Sequence, residues 1–233
     1  MNIEATWLGH STWMITQGDH RVLIDPFVND NPSCHVRDTD LNPTHICISH
    51  GHFDHIADAA SIANRVGCPI YANYEIATWL STQHGVKHAV GMNIGGKVKT
   101  DFGTLQLTPA IHSSGLPDGS YGGLAGGLFL TFERDEWSHH LYYLGDTALF
   151  SDLKLMQRNR VDTVIVPIGD LFTMGLEDSV LAVEWVGAKN AFPTHYNTWP
   201  PIAQDPHRWA NLIKQSTSAK PFVPVVDTPV IIE

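Results

Sequence analysis

The apolar and polar positions of this chain alternate first with the period of strands and later in longer blocks with the period of helices. Near the N-terminus three short alternating runs, Ile3–Leu8, Thr12–Thr16 and Arg21–Ile24, read as a β-meander, with Gln17-Gly18-Asp19-His20 turning between the last two. Thr44–Ser49 is β-branched and alternating, which predicts a half-buried strand. Asp54–Val66 repeats apolar residues at helical spacing and stops at Gly67, which predicts one amphipathic helix. Pro69–Ala72 then reads as a strand and Tyr74–His84 as a helix closed by Gly85. Leu105–Ala110, Gly127–Phe132 and His140–Leu144 are further strands. Thr163–Pro167 and Ala191–Pro193 read as short buried strands joined by a helix over Glu177–Val186, and Pro206–Gln215 as the last helix. Hairpins early and strand–helix units later predict a mixed α/β layered fold, and 233 residues without a linker predict a single domain over 1–233.

Composition narrows the function classes. At 43% hydrophobic and 16% charged residues the chain is an ordinary globule, and no apolar run approaches the roughly 18 residues of a membrane span. The first ten residues lack the basic start and apolar core of a secretory signal. Cys34, Cys47 and Cys68 are odd in number and form no C-x-x-C, as expected of reduced cytoplasmic thiols. A net charge of −10 disfavours nucleic acid as a partner, since such binders displace counterions with lysine and arginine. A small-molecule substrate is the expected partner. The 14 histidines equal the lysines and arginines combined, an imbalance toward metal-binding side chains.

The densest chemistry is His50-Gly51-His52-Phe53-Asp54-His55, between the strand ending at Ser49 and the helix from Asp54. Three imidazoles and a carboxylate in a tight loop repel one another when protonated, whereas a divalent cation makes the same cluster favourable. Three further residues each fall just beyond a predicted strand, where a rigid sheet fixes the position and the loop frees the tip: His112, Asp146 and His195.

H-x-H-x-D-H followed by a distant His, Asp and His resembles the metallo-β-lactamase superfamily. The whole chain is similar to its small metal-dependent hydrolases, relatives of the bacterial L-ascorbate-6-phosphate lactonase group. The matching stretches run from Trp7–Ser11 and Leu23–Phe27 through Gly91–Gly96, Ile111–Gly115 and Gly145–Asp152 to Pro167–Asp170, Phe172–Gly175 and His195–Thr198. The resemblance implies an αβ/βα sandwich: two mixed sheets face to face, helices on the outer faces, metals at one rim. It also implies that His50, His52 and His112 hold one ion, that Asp54, His55 and His195 hold a second, and that Asp146 bridges them. Asp25 would orient a ligand imidazole, although an aspartate before proline also makes a simple turn. His10 admits two readings, a catalytic residue facing the pocket or a histidine packed beside Trp7 or Trp13. Leu171 stands where relatives carry Asn, and Phe53 where a small residue is usual, narrowing the entrance.

Five imidazoles and two carboxylates suit zinc first, with manganese and iron(II) also compatible. Two such ions leave a surplus of about +2, which brings the pKa of bound water toward roughly 7 and attracts an anionic or carbonyl oxygen. The expected reaction is attack by a metal-held hydroxide on a small anionic ester, lactone or phosphoester, with Asp54 orienting the nucleophile. Phe172, Tyr196 and Asn197 flank the predicted site; core filling is their default reading, and lining of the substrate pocket is the functional hypothesis. Ser113–Gly127, rich in glycine, reads as a long mobile loop. Competing readings are a nuclease or phosphodiesterase, a di-iron oxidoreductase, which would usually carry Glu where His52 stands, and a metal-binding regulatory protein without turnover.

Overall fold

The computed structural model describes residues 2–232. The early alternation produces a hairpin meander, β1 (Ile3–Trp7), β2 (Trp13–Gln17) and β3 (His20–Ile24), paired antiparallel in sequence order. Ile3, Ala5 and Trp7 all point inward, as a period of two requires. Three parallel strands extend this sheet: β4 (His45–Cys47), β5 (Ile70–Asn73) and β6 (Ala89–Met92). The C-terminal β14 (Pro229–Ile232) closes its other edge against β1.

A second sheet of seven strands starts with the antiparallel β7 (Lys97–Thr100), β8 (Gly103–Pro109), β9 (Gly126–Arg134) and β10 (Trp137–Tyr143). It continues in parallel through β11 (Thr163–Pro167), β12 (Asn190–Thr194) and β13 (Lys220–Pro221). The sheets face each other across one core in which Trp13, Ile15 and Ile24 meet Leu105, Leu128, Leu130 and Phe192.

On the outer face of the first sheet, Leu23, Ile46 and Ile70 pack under α1 (Phe53–Ile56), α2 (Ala59–Val66) and α3 (Tyr74–His84). The second sheet is covered by α4 (Leu176–Val186) and α5 (Pro206–Ser216). The result is the expected sandwich of two mixed sheets with helices outside.

Two differences from the sequence expectation have physical causes. The single helix over Asp54–Val66 is broken into α1 and α2. Asp58 at the break is diverted: its amide donates to the Pro26 carbonyl, and its carboxylate accepts the amides of Val28 and Asn29. The loop after β8 is not loose. Gly115 bridges Tyr121, the Ser114 hydroxyl donates to the Gly122 carbonyl, and Asn73 Nδ2 donates to the carbonyls of Gly122 and Leu124.

Candidate metal centre

The seven residues expected to bind metal come from four segments, each leaving a strand at the same rim. His50 and His52 follow β4, and Asp54 and His55 lie in α1. His112 follows β8, Asp146 follows β10 and His195 follows β12. The structure brings all seven together. Nitrogens of His50, His52 and His112 form one cluster, and ligand atoms of Asp54, His55 and His195, with His10, form another. Asp146 lies between them, its Oδ2 3.9 Å from His50 Nε2 and 3.6 Å from His112 Nε2, and 3.4 Å from His55 Nε2 and 3.0 Å from His195 Nε2.

The backbone is bent to reach this convergence. Eight described non-glycine residues adopt positive φ, and His10, Asp25, Asp170, His195 and Asn197 among them lie in the loops that build the site. The His10 carbonyl anchors two of these loops, accepting the His195 amide at 3.0 Å, Trp7 Nε1 at 2.9 Å and Thr194 Oγ1 at 2.8 Å. Gly169 must be glycine, because a Cβ there would lie 2.3 Å from the His195 carbonyl oxygen. Gly145, just before Asp146, has φ +66° and a Cβ position 2.6 Å from the Gly126 carbonyl oxygen.

Asp25 stands behind the cluster, fully buried. Its Oδ1 accepts the Ser49 amide at 2.7 Å, and its Oδ2 accepts the Ser49 hydroxyl, Tyr143 OH at 2.8 Å and His55 Nδ1 at 2.7 Å. With the proton held on Nδ1, the His55 Nε2 lone pair is presented to the site.

The donor set fits a divalent cation on two counts. His55 Nε2 and Asp146 Oδ1 are buried with no hydrogen-bond partner, a costly state that an ion relieves. The protonation states also suit one. Burial, with His55 beside it, holds His50 far below the ordinary imidazole pKa, and burial lowers His52 and His112. Burial would raise Asp54 and Asp146, yet the surrounding imidazoles hold both below the usual carboxylate range. Burial opposes charge on His55 too, but Asp146, Asp54 and Asp25 together raise its pKa well above the ordinary value. The metal-free cluster thus keeps ionised carboxylates, with one imidazole drawn toward the proton that a cation would replace.

Other expectations meet a different arrangement. His10 does not face the cleft as a catalytic residue would. It is fully buried, its Nδ1 2.8 Å from Thr198 Oγ1 and its Nε2 2.9 Å from Asp54 Oδ2, so it holds Asp54 and cannot touch substrate. Tyr196 is core and not pocket lining, stacked on Trp7 with ring centroids 5.0 Å apart. Asn197 does not line the cleft either, since its Oδ1 accepts the Gln204 amide at 2.8 Å and fixes a turn. Phe172 does line it.

The cleft over the cluster has a volume of about 430 Å³, with Phe53, Phe172, Trp199 and Ser113 around His52, Asp54, His112 and His195. Leu171 is exposed and outside it. Among the described residues no lysine or arginine lines the cleft, so the anionic substrate expected from the metals' surplus charge finds no second cation there. Ser113, with Oγ 3.2 Å from His52 Nε2, was not anticipated; its place immediately after His112 is the signal that marks it. Thr198 ends the matching stretch His195–Thr198, but nothing local marks its role, as its partner His10 lies 188 residues away.

Comparison with known proteins agrees with this geometry. Residues 20–196 match the family model described as the β-lactamase superfamily domain. A UPF0173 metal-dependent hydrolase from Geobacillus thermodenitrificans is 43% identical over 216 residues, covering 91% of this chain and 93% of its own length. Another from Deinococcus radiodurans is 43% identical over 202 residues, covering 85% and 86%. The solved structure of the metallo hydrolase Igni18 from the archaeon Ignicoccus hospitalis superposes with a TM-score of 0.89 at 30% identity, covering 100% of this chain and 99% of that one. By its matched length, its fold and its convergent histidines and aspartates, the chain belongs to the β-lactamase superfamily and, within it, to the UPF0173 metal-dependent hydrolases.

Proposed function

We propose that this metal-dependent hydrolase cleaves an ester, lactone or phosphoester bond of a small molecule with two divalent cations, zinc first among the candidates. His50, His52 and His112 would hold one ion and Asp54, His55 and His195 the other, with Asp146 shared. Bound there, such ions would supply Lewis-acid activation, lowering the pKa of water toward about 7 and polarising a substrate oxygen.

The chain's own residues do the rest. Asp25 holds the Nδ1 proton of His55 and so fixes its tautomer. His10 bonds Asp54 Oδ2 from behind, leaving that carboxylate at the cleft wall, where it can accept a hydrogen bond from the attacking water and orient it. Phe53, Phe172 and Trp199 limit solvent around the reacting bond. The observation that carries this reading is Asp146, whose Oδ2 lies within 3.9 Å of four imidazoles from both clusters while Oδ1 has no partner.

A cleft of about 430 Å³ and a net charge of −10 favour a small molecule over nucleic acid. Three free thiols favour the cytoplasm. Among the described residues no helix is long and apolar enough to cross a membrane. The test is metal content together with turnover of chromogenic phosphodiesters, lactones and thioesters in added Zn²⁺ or Mn²⁺. Asp54→Ala and His52→Ala should each lose at least one ion and all turnover. Full occupancy and a normal rate in either variant would refute the assignment.

A further inference from the structure

The walls of the cleft say more about the substrate than its floor does. Phe53 and Phe172 leave 54% and 56% of their surfaces exposed beside a site built of histidine and carboxylate. Large aromatic rings left open next to a polar cluster mark a surface that a ligand covers. The Phe53 side of this wall is pre-formed: the buried Phe27 ring holds Phe53 at 5.8 Å and Trp199 at 6.1 Å, and Phe53 and Trp199 lie 6.1 Å apart.

Beyond Phe53 a second hollow of about 680 Å³ continues along Ile56, Trp79 and Leu80. Among the described residues its formally charged lining is Asp30 and Asp118 alone, and Trp79 Nε1 donates to Asp118 Oδ2 at 2.6 Å. Among the described residues neither hollow is lined by lysine or arginine. An anionic group away from the reacting centre would therefore meet aromatic carbon, a like charge, or the uncharged polar groups of Ser113, Gln83 and His84, and among the described residues no lysine or arginine offsets its desolvation.

We infer that the substrate is uncharged outside its reacting group and carries an aliphatic chain seated against Phe53, Phe172 and Trp199, running toward the hollow beyond Phe53. The inference rests on the hydrolase reading above and specifies its substrate. Phe172 and Trp199 become residues that set specificity.

The test uses two arms. In the first, the metal-loaded protein is given 4-nitrophenyl acetate, butyrate, hexanoate and hydrogen adipate, the last matching hexanoate in length but ending in a carboxylate. The expected kcat/KM rises from acetate to hexanoate by about twofold per half-buried methylene and about fourfold per fully buried one. It falls at least tenfold from hexanoate to adipate, and Phe172→Ser flattens the ladder. In the second, hexananilide and adipanilic acid, amides that mimic those esters, are titrated into metal-free protein while tryptophan fluorescence is read. Hexananilide should saturate at a concentration at least tenfold lower, and Trp199→Phe should remove most of the change.

A flat ladder, adipate hydrolysed as well as hexanoate, or equal binding of the two anilides overturns the inference. The two readings fail separately. Turnover with a flat ladder leaves the hydrolase and removes the apolar chain, whereas selective hexananilide binding without ester turnover leaves the apolar cleft and contradicts ester hydrolysis.

Discussion

Replacing Asp25 with asparagine isolates the control of one imidazole with little change in shape. Asparagine tolerates the left-handed backbone found here, φ +46°, so the main chain is not the variable. The native carboxylate accepts from four donors: the Ser49 amide on Oδ1, and the Ser49 hydroxyl, His55 Nδ1 and Tyr143 OH on Oδ2. The amide offers a single acceptor oxygen. With its oxygen toward His55, its NH₂ opposes the Ser49 amide donor to donor, which costs about 1–3 kcal/mol of stability. Turned the other way, its NH₂ faces His55, whose proton must move to Nε2, the atom that should bind metal. Either arrangement removes a full negative charge behind His55. Loss of such an orienting partner typically lowers metal affinity 10–100-fold, which is about 1.4–2.7 kcal/mol. Competition with a chromogenic zinc chelator at fixed pH reads the affinity, and urea unfolding of the metal-free protein reads the stability. A folded Asp25→Asn variant that binds zinc within twofold of the parent would show that Asp25 does not govern His55.

Three other outcomes follow from the same geometry. His10→Ala removes the hydrogen bond to Asp54 and should weaken the Asp54-side ion about 10–100-fold while sparing the ion at His50, His52 and His112; equal loss of both, read by elemental analysis after graded chelation, would contradict it. Gly169→Ala places a methyl 2.3 Å from the His195 carbonyl oxygen and should cost more than about 2 kcal/mol in urea unfolding, with loss of metal on the His195 side; wild-type stability would refute the contact. His139 is buried against Thr163, and burial brings its pKa down to about 4. Its folded pKa lies below the ordinary 6.5, so the unfolded chain takes the proton first. Its stability contribution is present above pH 6.5 and is lost as pH falls toward about 4, by about 3 kcal/mol. His139→Gln should flatten that slope, and identical pH dependence of urea midpoints in both proteins would exclude the mechanism.

The sequence made the site more legible than its surroundings. Four of the seven converging side chains sit within six consecutive positions at His50–His55, where a strand gives way to α1, and local spacing alone groups them. His112, Asp146 and His195 each follow a strand that the apolar pattern marks, but what singled them out was their order behind the His50–His55 motif and the family resemblance it carries. Edge strands were not legible. In Lys97–Thr100 two exposed lysines flank a half-buried valine, and Ala89–Met92 has no fully buried residue, so neither carries a clear apolar signal. The break at Asp58 depends on amides of Val28 and Asn29, some thirty positions away, which no helical period records. The same limit hid the partner of Thr198 and left two readings each for His10, Tyr196 and Asn197, of which the structure supports packing for His10 and Tyr196. Adjacency to His195 resembles pocket lining in one dimension, but Tyr196 turns inward onto Trp7 and Asn197 back onto Gln204.

Anomalous scattering from crystals grown with zinc, read beside elemental analysis of the same preparation, tests the central claim most directly. The account predicts about two ions per chain and two peaks, one among His50, His52 and His112 and the other among Asp54, His55 and His195, with Asp146 reaching both. A single peak, or none, with less than about one ion per chain would contradict it.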